Sequence, residues 1–264
     1  MKRCAFNMFR MVKDMEMSTI DKTVALLEIL AVSKTEMSIR ELEKQSQISK
    51  STIHRILQNL HQRGWVAQNT ETERYNIGLR FLFLYNTDSF YRHFLDIARP
   101  LMDQLVFATR QTALISVLDK SEGYCIFTKT PPTLLQYAAY PGMRFPIYAG
   151  ATGKVLLAFA PENIREKVLS DNKIQVAPNT IIDERLLREE VEKIRRDGYA
   201  FSTKELQNQT SGVSVPILTA NGELIAQFGI AGPAADFENK FESMLEEVQK
   251  AAKAFNDALT VRSL

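Results

Sequence analysis

The chain has 264 residues, of which 45% are hydrophobic, and its formal net charge is +2 at neutral pH. This length suits two domains of ordinary size, and so small a charge does not by itself indicate a nucleic-acid partner. Two cysteines, Cys4 and Cys125, exclude a disulfide framework, and three histidines without a cluster at ligand spacing argue against a zinc site. No apolar run reaches membrane-spanning length, so we expect a cytoplasmic protein with no metal, cofactor or membrane partner.

Residues 1–17 mix basic, acidic and apolar side chains without the pattern of a cleavable signal peptide. Besides the first residue, this segment contains four methionines: Met8, Met11, Met15 and Met17. We therefore expect residues 1–17 to be a poorly ordered extension, or the result of a start codon placed too early.

A first helix is expected to begin near residue 18, because Ser18 and Thr19 can each cap its first turn. Apolar side chains recur through the segment at helical spacing. They are predicted to form one buried face that packs on the following helices: Ile20, Val24, Leu27, Leu30 and Ala31.

The stretch from Ser38 to Tyr75 predicts two helices joined by a turn and followed by a hairpin. Ser38 can cap the first of these helices and Ser49 the second, since a serine hydroxyl accepts a free N–H of the first turn. Apolar residues of the second helix fall at positions i, i+3, i+4 and i+7, which predicts one buried stripe. The stripe consists of Ile53, Ile56, Leu57 and Leu60.

The opposite face of this second helix is hydrogen-bonding and basic, and residues 49–63 contain no acid. Such a helix can enter the DNA major groove, where Arg and Gln read base edges and Ser, Thr and Lys hold phosphates. A solvated face of a small helical bundle explains the helix equally well when it is taken alone. The hairpin around the polar turn 69–73 favours DNA, because a helix-turn-helix followed by a hairpin is the winged form of the DNA-binding motif.

Residues 18–78 are therefore predicted to form a winged helix-turn-helix domain that binds double-stranded DNA. Side chains at the start of the second helix are expected to hold phosphates, and those one to two turns later to approach the bases. The predicted DNA-binding residues are Ser38, Arg40, Ser49, Lys50, Ser51, Thr52, His54, Arg55, Gln58 and Arg74.

Residues 79–85 are apolar almost all round and predict a short helix that something must cover. Its own domain can provide that cover, or a second subunit can. We favour the second subunit, because DNA-binding helices of this kind work as pairs on half-sites about one helical turn apart. Residues 79–89 are thus predicted to be a linker helix, with the domain boundary at its end.

Residues 90–264 are predicted to form an α+β domain in which helices flank an antiparallel sheet. Pro100 should bend or divide the first helix, and Gly198 should end a later helix in the left-handed conformation. Strands are expected at 113–118, 124–130, 134–140, 212–219 and 223–230. Helices are expected at 90–109, 155–159, 161–170, 184–197 and 237–259.

The second domain carries no recognisable set of catalytic residues. All three histidines lie in the first 93 residues of the chain, and Cys125 lies in an apolar strand. The loop 149–154 resembles the end of a phosphate loop, but the leading glycine spacing is missing, which excludes a nucleotide site. Its N–H groups can hold a carboxylate, favoured by about 0.3–1 kcal/mol from the helix dipole. Close packing of helix on sheet explains its small residues equally well.

Several separated segments resemble the IclR family of bacterial transcriptional regulators. Residues 48–66 are similar to the recognition helix of that family, 74–79 to the end of its wing, and 149–157 to its loop and helix in the second domain. The resemblance extends from Ser18 to the last helix. Residues that fit the family signature are Gly198, Ser202, Glu205, Val213, Ser214 and Ile217.

The resemblance implies a winged helix-turn-helix joined to an effector-binding and oligomerisation domain distantly like GAF domains. It implies a homodimer, or a dimer of dimers, on a palindromic operator. It also implies that the effector is a small organic acid whose carboxylate meets the backbone of Ala151 and Thr152.

Relatives that bind small keto acids have polar side chains at the positions of Ser202, Gly212, Gly229 and Ala231. Three of these four side chains are absent or a methyl group in this chain. We therefore expect a wider, less polar pocket that takes a larger, more apolar or aromatic acid. Its expected walls are Phe127, Leu135, Tyr137, Met143 and Phe145.

Three functions stay open at this point. The chain can be a ligand-controlled transcriptional regulator, most simply a repressor. It can be an enzyme that uses the pocket of the second domain, although no acid–base pair with a nucleophile supports this. It can also be a protein-interaction module, which would bind without the salt dependence of phosphate contacts. The basic helix face and the family resemblance together favour the regulator.

Overall fold

The computed structural model describes residues 17–33, 35–81 and 89–260. Two compact units divide the chain, residues 1–92 and residues 93–264. Almost all of the predicted N-terminal extension, and residues 82–88 of the predicted linker helix, lie outside the described residues. Within the described ranges, no helix is both long and apolar enough to cross a membrane.

The described part of the first unit contains three helices and a two-stranded antiparallel hairpin. This arrangement confirms the predicted winged helix-turn-helix. Met37, which lies between the first two helices, forms an isolated β-bridge with Tyr75 of the hairpin. This bridge joins the hairpin to the helical part of the unit. The elements are α1 (Thr19–Val32), α2 (Ile39–Ser46), α3 (Lys50–Gln62), β1 (Val66–Gln68) and β2 (Tyr75–Ile77).

Serine caps fix the starts of α1 and α2. The hydroxyl of Ser18 accepts the backbone N–H of Asp21, and that of Ser38 accepts the N–H of Glu41, each within a capping box. Ser49 stands at the N-cap of α3, yet its side chain makes no capping bond to the described backbone. Its hydroxyl donates to Oγ1 of Thr52 at 3.0 Å, so the predicted cap position is confirmed but the predicted hydrogen bond to the backbone is wrong.

The core of the first unit confirms the predicted stripe on α3, since Ile53, Ile56 and Leu57 are buried. The predicted face of α1 is largely wrong, because Ile20 and Val24 are 75% and 47% exposed. Apolar residues occur on more than one side of α1, so its spacing alone does not select the buried side. The side that packs on α2 and α3 consists of Ala25, Leu26, Ile29 and Leu30.

The second unit is a six-stranded antiparallel sheet with helices on both faces, as predicted for an α+β domain. The strands are β3 (Thr112–Asp119), β4 (Glu122–Lys129), β5 (Arg144–Pro146), β6 (Ala200–Thr203), β7 (Thr210–Leu218) and β8 (Leu224–Pro233), in the order β5-β4-β3-β8-β7-β6. The helices are α4 (Ser89–Thr109), α5 (Gly150–Ala158), α6 (Glu162–Ser170), α7 (Glu184–Asp197) and α8 (Phe241–Thr260), with a 3-10 turn at Ala234–Phe237.

The two faces of this sheet have separate cores. On one, which we call the α4/α8 face, Phe94 and Phe255 from the helices pack on Phe228 of β8. The other, which we call the α5 face, is covered by α5 and the helices that follow it, with Val155 and Leu157 buried. Strand side chains alternate between these two cores.

Local structure in the second unit departs from the prediction at two places. Helix α4 runs through Pro100 without dividing, so the expected division is wrong and the alternative of a bend stays a prediction. Residues 134–140 form an irregular loop and not a strand, because β4 pairs with β5 at this edge of the sheet. Gly198 ends α7 with φ of 75°, which confirms the predicted left-handed position.

Candidate nucleic-acid interface and effector site

The predicted DNA-binding side chains of α3 share one exposed face of the helix. Ser49, Lys50, Ser51, His54, Arg55 and Gln58 are exposed, and Thr52 is half-buried. The buried stripe of Ile53 and Leu57 holds the opposite side against the unit's core. This face therefore presents its polar and basic groups together, as a helix in the major groove requires.

The charge on this face is only weakly neutralised. The Lys50 Nζ lies 3.6 Å from Oε2 of Glu43 on α2, and both side chains are exposed. Exposed pairs of this kind contribute little free energy. Lys50 can therefore exchange its carboxylate partner for a DNA phosphate.

Two of the predicted DNA contacts have partners inside the unit. The Arg74 guanidinium binds the Glu41 carboxylate at 2.6 Å and donates from Nε to the Glu36 carbonyl at 3.0 Å. The Ser38 hydroxyl donates to the same Glu41 carboxylate at 2.8 Å. Hydrogen bonds from the Ser38 backbone and side chain, and then from Arg74, lower the pKa of Glu41 to about 2. This ionised carboxylate ties the wing to the start of α2, whereas Arg40 on α2 stays exposed.

The start of α5 gathers the predicted effector-binding residues on the α5 face. The backbone N–H of Ala151 donates to Ser202 Oγ on β6 at 2.7 Å, and that of Gly150 donates to Glu205 Oε2 at 3.3 Å. The Thr152 hydroxyl lies 3.3 Å from that of Ser214 on β7. The predicted residues that the structure brings together here are Ala151, Thr152, Ser202, Gly212, Gly229 and Ala231.

The expected widening of the pocket at its glycines is not found. A methyl group on Gly212 would lie 3.0 Å from the Ile230 carbonyl oxygen and 3.6 Å from Cβ of Ala231. A methyl group on Gly229 would meet the Val213 carbonyl and the Ser214 hydroxyl. Both glycines therefore allow neighbouring atoms to approach closely, so the predicted widening at these two positions is wrong, and the larger effector stays a prediction.

The predicted apolar walls divide into two groups. Tyr137, Met143 and Phe145 belong to the core of the α5 face, together with Ala151. Leu135 lies in the irregular loop and is 78% exposed, so it does not line a wall here.

Phe127 lies on the opposite side of the sheet from the predicted pocket. A β-bulge interrupts the pairing of β3 and β4, where Ile115 pairs with Phe127 and Ser116 with Cys125. The extra residue reverses the alternation of side chains, so Cys125 faces α5 while Phe127 joins the α4/α8 face. There the Arg99 guanidinium lies 5.2 Å from the Phe127 ring centre.

A buried ion cluster supports the start of α5, and the sequence analysis missed it. Lys154 is 1% exposed, and its Nζ binds Glu205 Oε1 at 2.8 Å and Glu190 Oε1 at 2.7 Å. The same ammonium donates to the carbonyl of Phe201. Burial raises the pKa of Glu205, and the nearby Lys154 charge opposes that shift. The sequence contained one indication of this cluster. A single lysine in a helix of small and apolar residues must be paired if it is buried.

The groups at the start of α5 are suited to binding a ligand. The first N–H groups of α5 already hold the oxygen atoms of Ser202 and Glu205, and a carboxylate oxygen can take the same donors. Burial raises the pKa of the nearest thiol, Cys125, to about 12, so it is not a nucleophile at neutral pH. No group of His, Cys, Asp and Glu side chains within the described ranges has the arrangement of a metal site.

Two family models match the chain over most of its length. The IclR helix-turn-helix domain matches residues 19–70, and the C-terminal domain of the bacterial transcriptional regulator IclR matches residues 91–256. The HTH-type transcriptional regulator KipR of Bacillus subtilis is 28% identical over 237 residues, which cover 89% of this chain and 94% of that protein. The HTH-type transcriptional repressor AllR of Escherichia coli is 25% identical over 249 residues, covering 92% of this chain and 91% of that protein.

Solved structures show the same fold. An IclR homolog from Microbacterium hydrocarbonoxydans, crystallised with 4-hydroxybenzoate, has a TM-score of 0.83 at 24% identity and covers 92% of this chain and 100% of that one. The IclR of Thermotoga maritima has a TM-score of 0.69 at 26% identity and covers 92% of this chain and 99% of that one. The relatives are regulators and not enzymes, which confirms the prediction of a non-enzymatic protein. The chain is a DNA-binding transcriptional regulator and belongs to the IclR family.

Proposed function

We propose that the protein is a repressor whose binding to its operator is controlled by a small organic acid. The observation that carries the proposal is the start of α5, where buried N–H groups and hydroxyls converge over β6 and β7. Such donors favour a carboxylate that is shielded from water. The repressor role is supported by AllR, a relative that is named as a repressor.

The exposed face of α3 is the proposed DNA-reading surface. Lys50 and Ser51 at its start hold phosphates, and Arg55 and Gln58 reach the base edges. Ser38 and Arg74 act from within the unit, since both bind Glu41 and so fix the wing against α2. This assigns them to positioning the surface, with Arg40 as the exposed residue beside it.

A homodimer, or a dimer of dimers, is proposed to bind a palindromic operator in the cytoplasm. Large apolar side chains lie exposed on the first unit, with Ile20 and Leu79 each 75% exposed and Val24 47% exposed. An exposed apolar surface of this kind suits contact with a second copy. Two copies would place two α3 helices in successive major grooves.

An aromatic acid is the first effector to test. One structural relative was crystallised with 4-hydroxybenzoate, and the α5 face of this chain carries Tyr137, Met143 and Phe145 beside the polar residues. Apolar walls with a few converging polar groups are typical of small-molecule sites. No cofactor is needed for this role.

The test combines ligand screening with DNA titration. A panel of small carboxylic acids is screened by melting temperature, because a ligand at one hundred times its Kd stabilises the folded state by about 2.7 kcal/mol. Acids that stabilise the protein are then added to an anisotropy titration with DNA from upstream of its own gene. We expect at least one of them to weaken DNA binding. Acids that bind but leave operator affinity unchanged would contradict effector control.

A further inference from the structure

The tip of the wing carries acidic side chains, whereas α3 carries basic ones. The turn 69–73 between β1 and β2 contains Glu71 and Glu73, both exposed, and no lysine or arginine. Residues 49–63, which include α3, contain three lysine and arginine side chains and no acid. The two parts of the winged motif that a DNA duplex would approach therefore have opposite charge.

The one basic residue of the hairpin 66–77 binds inside the unit. This residue is Arg74. Its Nη2 donates to both carboxylate oxygens of Glu41, at 2.8 and 2.6 Å, and its Nε donates to the Glu36 carbonyl at 3.0 Å. Because an ionised carboxylate of α2 lies against it, the charge of Arg74 is neutralised within the unit and adds little attraction for DNA.

A further acid, Glu36, fixes the shape of the turn. The Asn69 side chain accepts the N–H groups of Glu71 and Thr72 at 3.0 and 3.1 Å, and its Nδ2 donates to the Glu36 carboxylate at 3.2 Å. The Thr72 hydroxyl lies 3.4 Å from the same carboxylate and donates to it. Since the turn is tied both to Glu36 and to its own asparagine, Glu71 and Glu73 are held at the tip of the wing.

The ligand that meets this turn is DNA, because the family of the chain is one of DNA-binding regulators. In the winged form of the motif, the hairpin that follows the recognition helix lies beside the phosphate backbone. A lysine or arginine there would neutralise a phosphate and release a counterion. A carboxylate repels the phosphate instead. This repulsion acts on DNA of any sequence, since phosphates carry no sequence information.

We infer that the wing of this regulator weakens its binding to every DNA, through Glu71 and Glu73, and leaves attraction and sequence discrimination to α3. This inference rests on the proposed DNA-reading surface. A chromosome offers a vast excess of DNA without the operator, and binding to that DNA depends on phosphate contacts. A repelling wing weakens such binding. The operator still holds the protein, because the base contacts of α3 add to the affinity there.

The experiment removes the two charges and measures DNA binding at two salt concentrations. Glu71→Gln/Glu73→Gln keeps the shape of both side chains. The full-length variant is titrated by fluorescence anisotropy with DNA from upstream of its own gene and with a scrambled duplex of the same length. We expect it to bind both duplexes roughly three-fold more tightly than the unmodified protein at about 50 mM salt. The gain should shrink at about 0.15 M salt, where the screening length is about 8 Å.

Two further variants make the result specific to the wing. Glu242→Gln/Glu246→Gln makes the same change in net charge at exposed positions of α8, and it should leave both affinities unchanged. Glu71→Lys places a cation at the tip and should steepen the slope of log K against log salt by about 0.9, as one added phosphate contact does. The fluorescence of Trp65 checks that the first unit is folded. Glu71→Lys carries the test if the double glutamine variant does not fold.

The outcomes separate this inference from the proposed function. A salt-dependent gain on both duplexes, absent in the α8 variant, supports a repelling wing. If neither wing variant strengthens binding while Arg55→Ala still weakens it, the role of the wing is overturned and the DNA-reading face stands. A gain on the upstream DNA alone would mean that the wing reads sequence, which also overturns the inference. If Arg55→Ala changes binding to neither duplex, reading by α3 is overturned and the inference falls with it.

Discussion

The two proposed functional surfaces of this regulator are built in different ways. The proposed DNA-reading face lies on one helix, α3, where side chains three and four residues apart point the same way. The proposed effector site brings together residues far apart in sequence, since Ala151 and Ser202 are 51 residues apart and Thr152 and Ser214 are 62 apart. A surface on one helix follows from local spacing, whereas a site between a helix and a sheet depends on strand register.

The largest expected effect is on the buried cluster beneath the effector site. Lys154→Met leaves Glu205 buried without its cation, and breaking a buried ion pair from one side typically costs about 3–5 kcal/mol. Urea unfolding followed by far-UV circular dichroism should show this loss. Trp65 is the only tryptophan and lies in the first unit, so its fluorescence should change little.

The pH dependence of this variant has a defined sign. Burial already raises the pKa of Glu205, and without Lys154 only the hydrogen bond from the Gly150 N–H still opposes that rise. A carboxyl whose pKa is higher in the folded state binds more protons there, so stability falls as the pH rises through that value. Lys154→Met should therefore be less damaged at pH 5 than at pH 8. The double variant Lys154→Met/Glu205→Gln should recover stability at pH 8, and an equal deficit in single and double variants would contradict the role of the pair.

Packing at the two glycines of the site gives the next largest effect. Gly229→Ala places a methyl group against the Val213 carbonyl and the Ser214 hydroxyl, and overpacking of this kind costs about 1–3 kcal/mol. Gly212→Ala is the milder comparison, because its closest new contact is the Ile230 carbonyl oxygen at 3.0 Å and its contacts with Ala231 and Ala151 are ordinary. Thermal unfolding should show the larger loss for Gly229→Ala. Small losses of stability that are equal in the two variants would instead show that both positions have open space for a methyl group.

The same geometry determines how much of the proposed effector site could be predicted from the sequence. The resemblance named Ala151 and Ser202 correctly as neighbours, because a family signature carries tertiary information that spacing does not. The face of Phe127 was not predictable, since the bulge in β4 is a property of strand pairing. The short edge strands β5 and β6 were missed, because three or four residues are too few to show alternation.

In the first unit, most of the structure could be predicted from local sequence patterns. The α3 stripe, the Ser38 cap and the wing were all predictable from local patterns. The incorrect prediction there concerns the buried side of α1. This helix has apolar residues on two sides, and only its contact with α2 and α3 determines that Leu26 is buried and Ile20 is exposed. Ser49 occupies the N-cap position as predicted, but its hydroxyl binds Thr52 and makes no capping bond.

The exposed face of α3 supplies the third prediction. Arg55→Ala should weaken operator binding by about 1–3 kcal/mol and relax sequence preference, as expected for an arginine that contacts a base. Anisotropy titrations with the operator and with scrambled DNA measure both effects. Arg196→Ala removes the same charge from an exposed position in the second unit, and it should leave both unchanged. If Arg55→Ala weakens operator and scrambled DNA equally, Arg55 contacts phosphate and not a base.

The smallest expected effect concerns Glu41, which joins α2 to the wing. Hydrogen bonds from Ser38 and Arg74 lower its pKa from 4.5 to about 2, so its contribution to stability is fully present above the unfolded value and is lost as the pH falls towards the folded one. Glu41→Gln should therefore unfold more easily than the unmodified protein at pH 7, and the gap should narrow at pH 3. Urea unfolding followed by Trp65 fluorescence measures the gap in this unit. Glu43→Gln, whose only ion pair is the exposed 3.6 Å contact with Lys50 among the described residues, should show no such gap, and a gap of equal size at both pH values would show that Glu41 acts through packing and not through its charge.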